Sequence, residues 1–426
     1  MAVTDRVRAD FVVCGASELA TCAGPAPARG AEQGRVAVLP RGAVAAREGK
    51  IVWVGPEDAL ASSVEPLPGA RRLDVEGRAV LPGLVDAHTH LVWGGDRADE
   101  FEKRLAGATY SEIAAAGGGI LGTVKKTRAA SLDELTASAG ARMDRMARWG
   151  VTSFEVKSGY GLCPEAEYKM LEAARRAAAT RPYALATTFL GAHTMPPEAR
   201  GDAAARARYV DALCGEMIPH VAQAGLARFV DVFVDANAFS VAEARRVLDA
   251  GRRAGLGLKI HADQLAADGG AELAGEMGAV SAEHLEHASE AGLKALAAAG
   301  TVAVLLPAAT LFLRMKDAAP ARRMIELGVP VALSTDVNPG SCPCESLPVT
   351  MQLGCLLCGL TVDEAIVAAT LNGAAAAGLA DVAGSVEVGK RCDLLVLDAA
   401  ERRQLLYQFG APRLFATIAA GHVLTA

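Results

Sequence analysis

Polar and apolar residues follow two different rhythms along this chain, and the change falls near residue 80. Before it, short apolar or alternating runs at 11–13, 35–39, 43–47 and 51–54 are separated by Gly42, Gly49-Lys50 and Gly55-Pro56. Such runs, punctuated by glycine and proline, predict short strands joined by turns. Residues 23–34, rich in Gly, Pro and Ala, read as a loop. After residue 80, apolar runs of strand length alternate with alanine-rich amphipathic stretches. The strand-like runs are 80–90, 151–157, 184–192, 229–234, 256–261, 279–284, 301–306 and 329–335. The helical stretches between them are 131–149, 164–180, 203–224, 241–254, 269–278, 290–299 and 320–327. Strand alternating with helix implies a parallel sheet with helical crossovers. Eight such units make the number of a closed α/β barrel, the (β/α)8 or TIM barrel. An open doubly wound sheet is the alternative, but no glycine fingerprint follows the first strand.

Beyond residue 361 a helical stretch runs to about 377, and β-like runs follow at 384–389, 393–397 and 416–423. Neither chain end is large enough for a full domain by itself. The expected organisation is therefore an N-terminal part of a small β domain (1–80), the barrel (81–383) and a C-terminal part of the same β domain (384–426). The two ends together would form a composite β-sandwich.

Composition narrows the classes of function. With 51% hydrophobic and 22% charged residues among 426, the chain can build a large core, and global disorder is not expected. The net charge of −6 argues against a nucleic-acid partner, which would call for a basic face. The best uncharged apolar candidate, 301–313, is short and broken by Pro307, so no membrane span is expected. Asp5, Arg6, Arg8 and Asp10 interrupt the N-terminus before an apolar core can form, so no signal peptide is expected either. Nine cysteines, an odd number without a framework, suit reduced thiols in a cytoplasm. Cys342, Cys344, Cys355 and Cys358 could in principle bind structural zinc, but helical residues follow them and their flanks read as a substrate loop, so no site is expected there.

The chemistry falls at strand ends, where a barrel of this kind carries its site. The first strand ends in His88 and His90, two residues apart and therefore on one face. The second ends in Lys157-Ser158-Gly159-Tyr160-Gly161, the third in His193, and the fifth in His261 with Asp263 and Gln264 beyond. The sixth ends in His284, with His287 next, and the eighth in Asp336, followed by Asn338, Gly340 and Ser341. Of the eight histidines only His220 and His422 lie elsewhere. Histidines converging with one aspartate make a nitrogen and oxygen donor set suited to Zn2+ or Fe2+. An ion held there lowers the pKa of a water toward ~7. Asp336 can take the proton and pass it to a leaving nitrogen. The metal or His284 can polarise a carbonyl and stabilise the oxyanion that forms.

These residues stand in the motifs DAHTHLVWGGDRADEF, KSGYGL, GAHTMPPE, KIHADQ, AEHLEH and STDVNPGSCPCESLP, and the tail carries GSVEVGKRCDLLVLD. In them the chain resembles the amidohydrolase superfamily and, within it, the imidazolonepropionase family. The resemblance spans nearly the whole barrel. It implies one metal ion, Zn2+ or Fe2+/Fe3+, held by His88, His90, His261 and Asp336, with His284 beside the reacting water. It implies substrate contacts from Arg97, Tyr160, His193, Gln264, Asn338, Gly340 and Ser341. The substrate class it implies is 4-imidazolone-5-propanoate, opened by water at the amide C–N bond to N-formimidoyl-L-glutamate. Arg97 suits the propionate, because a guanidinium binds a carboxylate in bidentate fashion. A homodimer is also common in this fold family. Some members carry a modified lysine bridging two metals on the fourth strand; here that strand reads FVDVFVD, so a single metal is expected.

Two rival readings remain at this point. A purine, pyrimidine or triazine deaminase on the same barrel would share the histidines and the aspartate. Such enzymes resemble this chain less at HxxE after the fifth strand, where Gln264 stands here. An amide cannot shuttle protons at neutral pH. The other rival is a non-catalytic binding protein on a decayed barrel, for which the sequence offers no missing ligand.

Overall fold

The computed structural model of the chain describes residues 6–107, 112, 118–411 and 413–425. The first five residues, part of the N-terminal stretch discussed above, lie outside the described residues. The N-terminal segment forms β1 (Val7–Cys14), β2 (Glu18–Ala20), β3 (Val38–Pro40), β4 (Gly42–Arg47), β5 (Lys50–Pro56) and β6 (Val64–Asp74). Then come β7 (Val80–Pro82) and the eight barrel strands. These are β8 (Leu84–Thr89), β9 (Val151–Lys157), β10 (Ala184–Ala192), β11 (Phe229–Phe233), β12 (Gly257–Ala262), β13 (Ser281–His284), β14 (Val302–Leu305) and β15 (Val331–Leu333). The tail adds β16 (Leu394–Leu397), β17 (Leu414–Ala419) and β18 (His422–Thr425).

Strands β8 to β15 lie side by side in chain order, each pair parallel. The cylinder closes between the segment after β15 and β8. Thr89 bridges Val337, the Asp336 amide donates to the His88 carbonyl at 3.1 Å, and the His90 amide donates to the Val337 carbonyl at 3.0 Å. Closure therefore holds the first and last metal-ligand candidates together by backbone bonds. Helices flank the strands and begin where capping chemistry dictates. Ser131 and Glu134 form a reciprocal capping box at helix Leu132–Ala147, and Ser240 and Glu243 do the same at helix Val241–Arg253.

Two further sheets stand outside the barrel. One has the order β5-β4-β1-β6 and comes from the N-terminal segment alone. The other, β18-β17-β16-β7-β2-β3, mixes strands from both ends of the chain. Phe11, Val44 and Ile51 of the first sheet share one buried cluster with Leu19, Val80, Leu394 and Ile418 of the second. Apolar faces of two sheets packed on each other make a sandwich.

Several expectations need correction. The run 80–90 is not one strand: Pro82 ends β7 in the six-stranded sheet, and β8 starts in the barrel at Leu84. The break falls at Gly83, where a Cβ would lie 2.4 Å from Thr152 Oγ1. Residues 384–389 form no strand. Gly384 and Gly389 have φ of +86° and +94°, and the segment has isolated backbone bonds with Thr21, Ile51 and Lys390 in place of a ladder. Strand β6 was hidden by Pro66, Pro68 and Gly69. It lies at a sheet edge, where proline is tolerated, with an irregularity against Ala9 and Phe11 of β1. Helices Ala98–Leu105, Gly119–Ala129 and Leu347–Cys358 were not anticipated.

Candidate active site

A cavity of about 930 Å³ opens at the C-terminal ends of the barrel strands. Its wall includes His90, Arg97, Tyr160, His193, His261, Gln264, His284, Asp336, Asn338, Gly340 and Ser341. Every site residue expected from the sequence is thus on this wall except His88, which is wholly buried among its neighbours. His220, by contrast, stacks on Tyr168, and His422 sits on β18.

At the floor, Nε2 of His88 and Nε2 of His90 each lie 3.5 Å from Oδ1 of Asp336. The His88 ring is 4.6 Å from that of His261, and His261 is 5.5 Å from His284. Among the described residues three overlapping groups have donor atoms close enough to hold an ion: His88, His90 and Asp336; His88, His261 and His284; and, beneath them, Asp231, His261 and Glu283. The fit to a cation is chemical as well as spatial. Both ring nitrogens of His88, Nδ1 of His90 and Nε2 of His261 are buried without a hydrogen-bond partner. Buried polar atoms are seldom left so. Burial, helped by Lys157 and His261, holds His88 well below the usual histidine pKa. Burial and His193 do the same for His90. Both are neutral imidazoles at physiological pH, the form that binds metal. Burial pushes the Asp336 carboxyl up to about 7, against the opposing pull of His261.

Beneath the floor is a set of charges that sequence reading did not assign. Lys157 is wholly buried, with Nζ 2.9 Å from Glu155 Oε1 and 2.8 Å from Asp231 Oδ2. Burial alone would lower its pKa, but Asp231, Glu155 and Glu283 together hold it above the ordinary lysine value. Lys259 is equally buried, 3.5 Å from Glu155 and 3.9 Å from Glu283. Oδ1 of Asp231 lies 3.1 Å from Nδ1 of His261. That contact occupies one ring nitrogen and leaves Nε2 to face an ion, the usual way an outlying carboxylate orients a metal-binding histidine. Charged residues inside otherwise apolar strands were the available signal: Glu155 and Lys157 on β9, Asp231 on β11, Lys259 on β12 and Glu283 on β13.

The upper wall is built from loops. Tyr160 sits in a loop clamped from below by Glu167, whose carboxylate accepts from the amides of Gly159, Gly161 and Leu162 at 3.0, 2.7 and 2.7 Å. Gly159 has φ of +112°, and a Cβ there would lie 2.9 Å from Nδ1 of His193. The close approach lets that nitrogen meet the Gly159 carbonyl at 3.0 Å. Burial pulls His193 down to about 4. Gln264 follows Asp263, whose carboxylate accepts from the amides of residues 268–271 and so holds the loop shut. Asn338 ties the last loop: its Oδ1 accepts from the amides of Gly340 and Ser341 at 2.8 and 2.7 Å.

Arg97 is held by Glu100, with Nε and Nη2 at 2.8 and 2.7 Å from one carboxylate oxygen. Its other arm, Nη1, lies against Gly340, where an added Cβ would be 2.0 Å away. Arg104 also lines the wall, packed over Phe101 and Phe312, and was not foreseen. All nine cysteines are free, and among the described residues none belongs to a group that could hold a metal. Cys342 donates instead to the Thr335 carbonyl.

Comparison with known proteins places the chain. The amidohydrolase family model matches residues 79–424. The imidazolonepropionase of Symbiobacterium thermophilum is 52% identical over 402 residues, 94% of each chain. That of Geobacillus kaustophilus is 46% identical over 412 residues, 96% of each chain. The chain belongs to the imidazolonepropionase group of the amidohydrolase family. Membership makes it a hydrolytic enzyme of a metal-dependent family. The barrel is also that of a zinc-bound adenosine deaminase from Xanthomonas campestris. The two align with a TM-score of 0.72 at 21% identity, over 98% of this chain and 93% of that one, a likeness of fold. Among the described residues, no helix is long and apolar enough to cross a membrane.

Proposed function

We infer that this amidohydrolase opens the ring of 4-imidazolone-5-propanoate, a hydrolytic step in histidine degradation. What carries this reading is identity of 46–52% to imidazolonepropionases over nearly the full chain. The deaminase alternative is not favoured, since it rests on fold likeness at 21% identity. In the reaction, water oxygen bonds to the ring carbonyl carbon and the amide C–N bond breaks. The leaving nitrogen keeps the electron pair and takes a proton, giving N-formimidoyl-L-glutamate.

His88, His90, His261 and Asp336 would hold one metal ion, Zn2+ or Fe2+/Fe3+, supported by their unpartnered buried nitrogens. When bound, such an ion supplies Lewis acidity and eases ionisation of water at neutral pH. The chain's own groups do the rest. Asp336 and His284 accept the proton given up by the attacking water, and Asp336 delivers one to the leaving nitrogen. Arg97 binds the propionate. Tyr160 and His193 hydrogen-bond the ring or the same carboxylate. Gln264 orients the ring without exchanging protons, and Asn338 shapes the loop of Gly340 and Ser341 over the substrate. The odd, unpaired cysteines support a cytoplasmic setting, and a homodimer is the assembly expected from the family resemblance.

Loss of the imidazolone ultraviolet absorbance with purified protein, coupled to product analysis, tests the assignment. Formimidoylglutamate without ammonia is expected; ammonia release would favour the deaminase reading. The role of Arg97 is tested separately. Arg97→Ala should raise KM about 10–100-fold, the loss of a hydrogen bond to a charged group, with a smaller change in kcat. Gly340→Ala should shift KM the same way, because the new Cβ must displace the guanidinium. An unchanged KM in both would remove Arg97 from the carboxylate site.

A further inference from the structure

The chemistry above leaves one buried acid beside the site unused. Glu286 follows β13 by two residues and is 6% exposed. Its Oε1 accepts from Thr310 Oγ1 at 2.9 Å, on helix Pro307–Phe312. Its Oε2 is buried with no hydrogen-bond partner. At 3.9 Å from it stands Nδ1 of His284, also buried and also without a partner. An orphaned acceptor and an orphaned ring nitrogen face each other across a gap about an ångström longer than a hydrogen bond. Both His284 and Leu285 have left-handed backbones, φ +75° and +69°. Residues other than glycine hold that conformation only where their surroundings impose it, and such strain clusters at working sites. Among the described residues, no lysine or arginine forms an ion pair with Glu286. Burial pushes its carboxyl up to about 7. A buried acid with no cation and one histidine neighbour is a costly arrangement for packing alone.

We propose that Glu286 is a positioning residue for His284, accepting a hydrogen bond from Nδ1–H so that Nε2 is kept unprotonated as the acceptor on the cavity side. The inference rests on the placement of His284 beside the reacting water. It also divides the labour between the two acid–base groups. His284 takes the first proton of the attacking water through Nε2 and later returns it to solvent; Asp336 takes the second as the new carboxylate forms and hands it to the leaving nitrogen. A ring with one nitrogen tied to a carboxylate and the other free is a recurring device for a histidine base.

The test uses zinc-loaded enzyme with 15N-labelled histidine, comparing wild type, Glu286→Gln and Thr310→Val. His284→Asn identifies the His284 signals. In the wild type, Nδ1 of His284 should read as protonated and Nε2 as unprotonated, and Glu286→Gln should disturb that pattern. With substrate, Glu286→Gln should lower kcat at least tenfold with KM within about twofold. Thr310→Val, which frees Oε1, should give a smaller loss in the same direction. The amide keeps the volume and removes a desolvated charge, so Glu286→Gln should melt no lower than wild type. A His284 spectrum unchanged in Glu286→Gln, or a kcat within twofold of wild type, would each overturn the proposal. The spectrum needs no substrate, so a wild type inactive on the imidazolone would count against the substrate assignment alone.

Discussion

Alanine at His88 or at Asp336 is expected to lower kcat by about 10³-fold or more, the scale of losing a positioned acid–base group, here together with a metal ligand. The reason is geometric. His88 belongs to two of the three groups able to hold an ion, and neither of its ring nitrogens has another partner. Asp336 faces His88 and His90 at 3.5 Å from the opposite end of the barrel sheet. Each replacement opens the donor set, and Asp336→Ala also removes the acid that serves the leaving nitrogen. Bound metal should fall in parallel, from one equivalent per chain to a fraction of one. The fold should survive, because barrel closure at this point runs through backbone bonds between His88 and Asp336 and between His90 and Val337. Steady-state kinetics and metal analysis on both variants check this. Either variant retaining a tenth of wild-type turnover would remove that residue from the site.

Lys157→Met is expected to cost about 3–5 kcal/mol of stability, the usual penalty for stripping one partner from a buried ion pair. Lys157 is the cation on which Glu155 and Asp231 both converge, and all three are wholly buried. Without it, Lys259 is, among the described residues, the only lysine or arginine paired with either carboxylate, at 3.5 Å from Glu155. Asp231, now held below the ordinary carboxylate range by His261 and Lys157 against its burial, would keep only the support of His261. Activity should fall too, since Asp231 orients His261. Chemical denaturation measures the first effect, and a midpoint within 0.5 kcal/mol of wild type in free energy would show that the network carries no such load.

Much of the barrel was legible because its strands are continuous apolar runs separated by amphipathic helices. Even the ends of the strands announced the site, since six histidines fall there. Four kinds of feature were not legible. The split at Pro82-Gly83 was hidden because both halves are apolar, and periodicity does not report which sheet a strand joins. Strand β6 was hidden because Pro66, Pro68 and Gly69 read locally as turns, whereas an edge position beside β1 tolerates them. The charge network of Glu155, Lys157, Asp231, Lys259 and Glu283 does not show in the sequence although every member sits in an apolar strand. Isolated charges in such strands look like interruptions until the barrel brings them within 4 Å of one another. The contact of Arg97 with Glu100 was likewise invisible, because the helix carrying Glu100 had not been anticipated.

The most direct check is a metal titration of the purified, chelator-treated chain, followed simultaneously by bound metal and by loss of imidazolone absorbance. The account predicts no turnover in the stripped protein. Activity should return in proportion to bound Zn2+ or Fe2+ and level off at one equivalent per chain. Full turnover in protein that holds no metal, or activity that continues to climb to two equivalents, would contradict it.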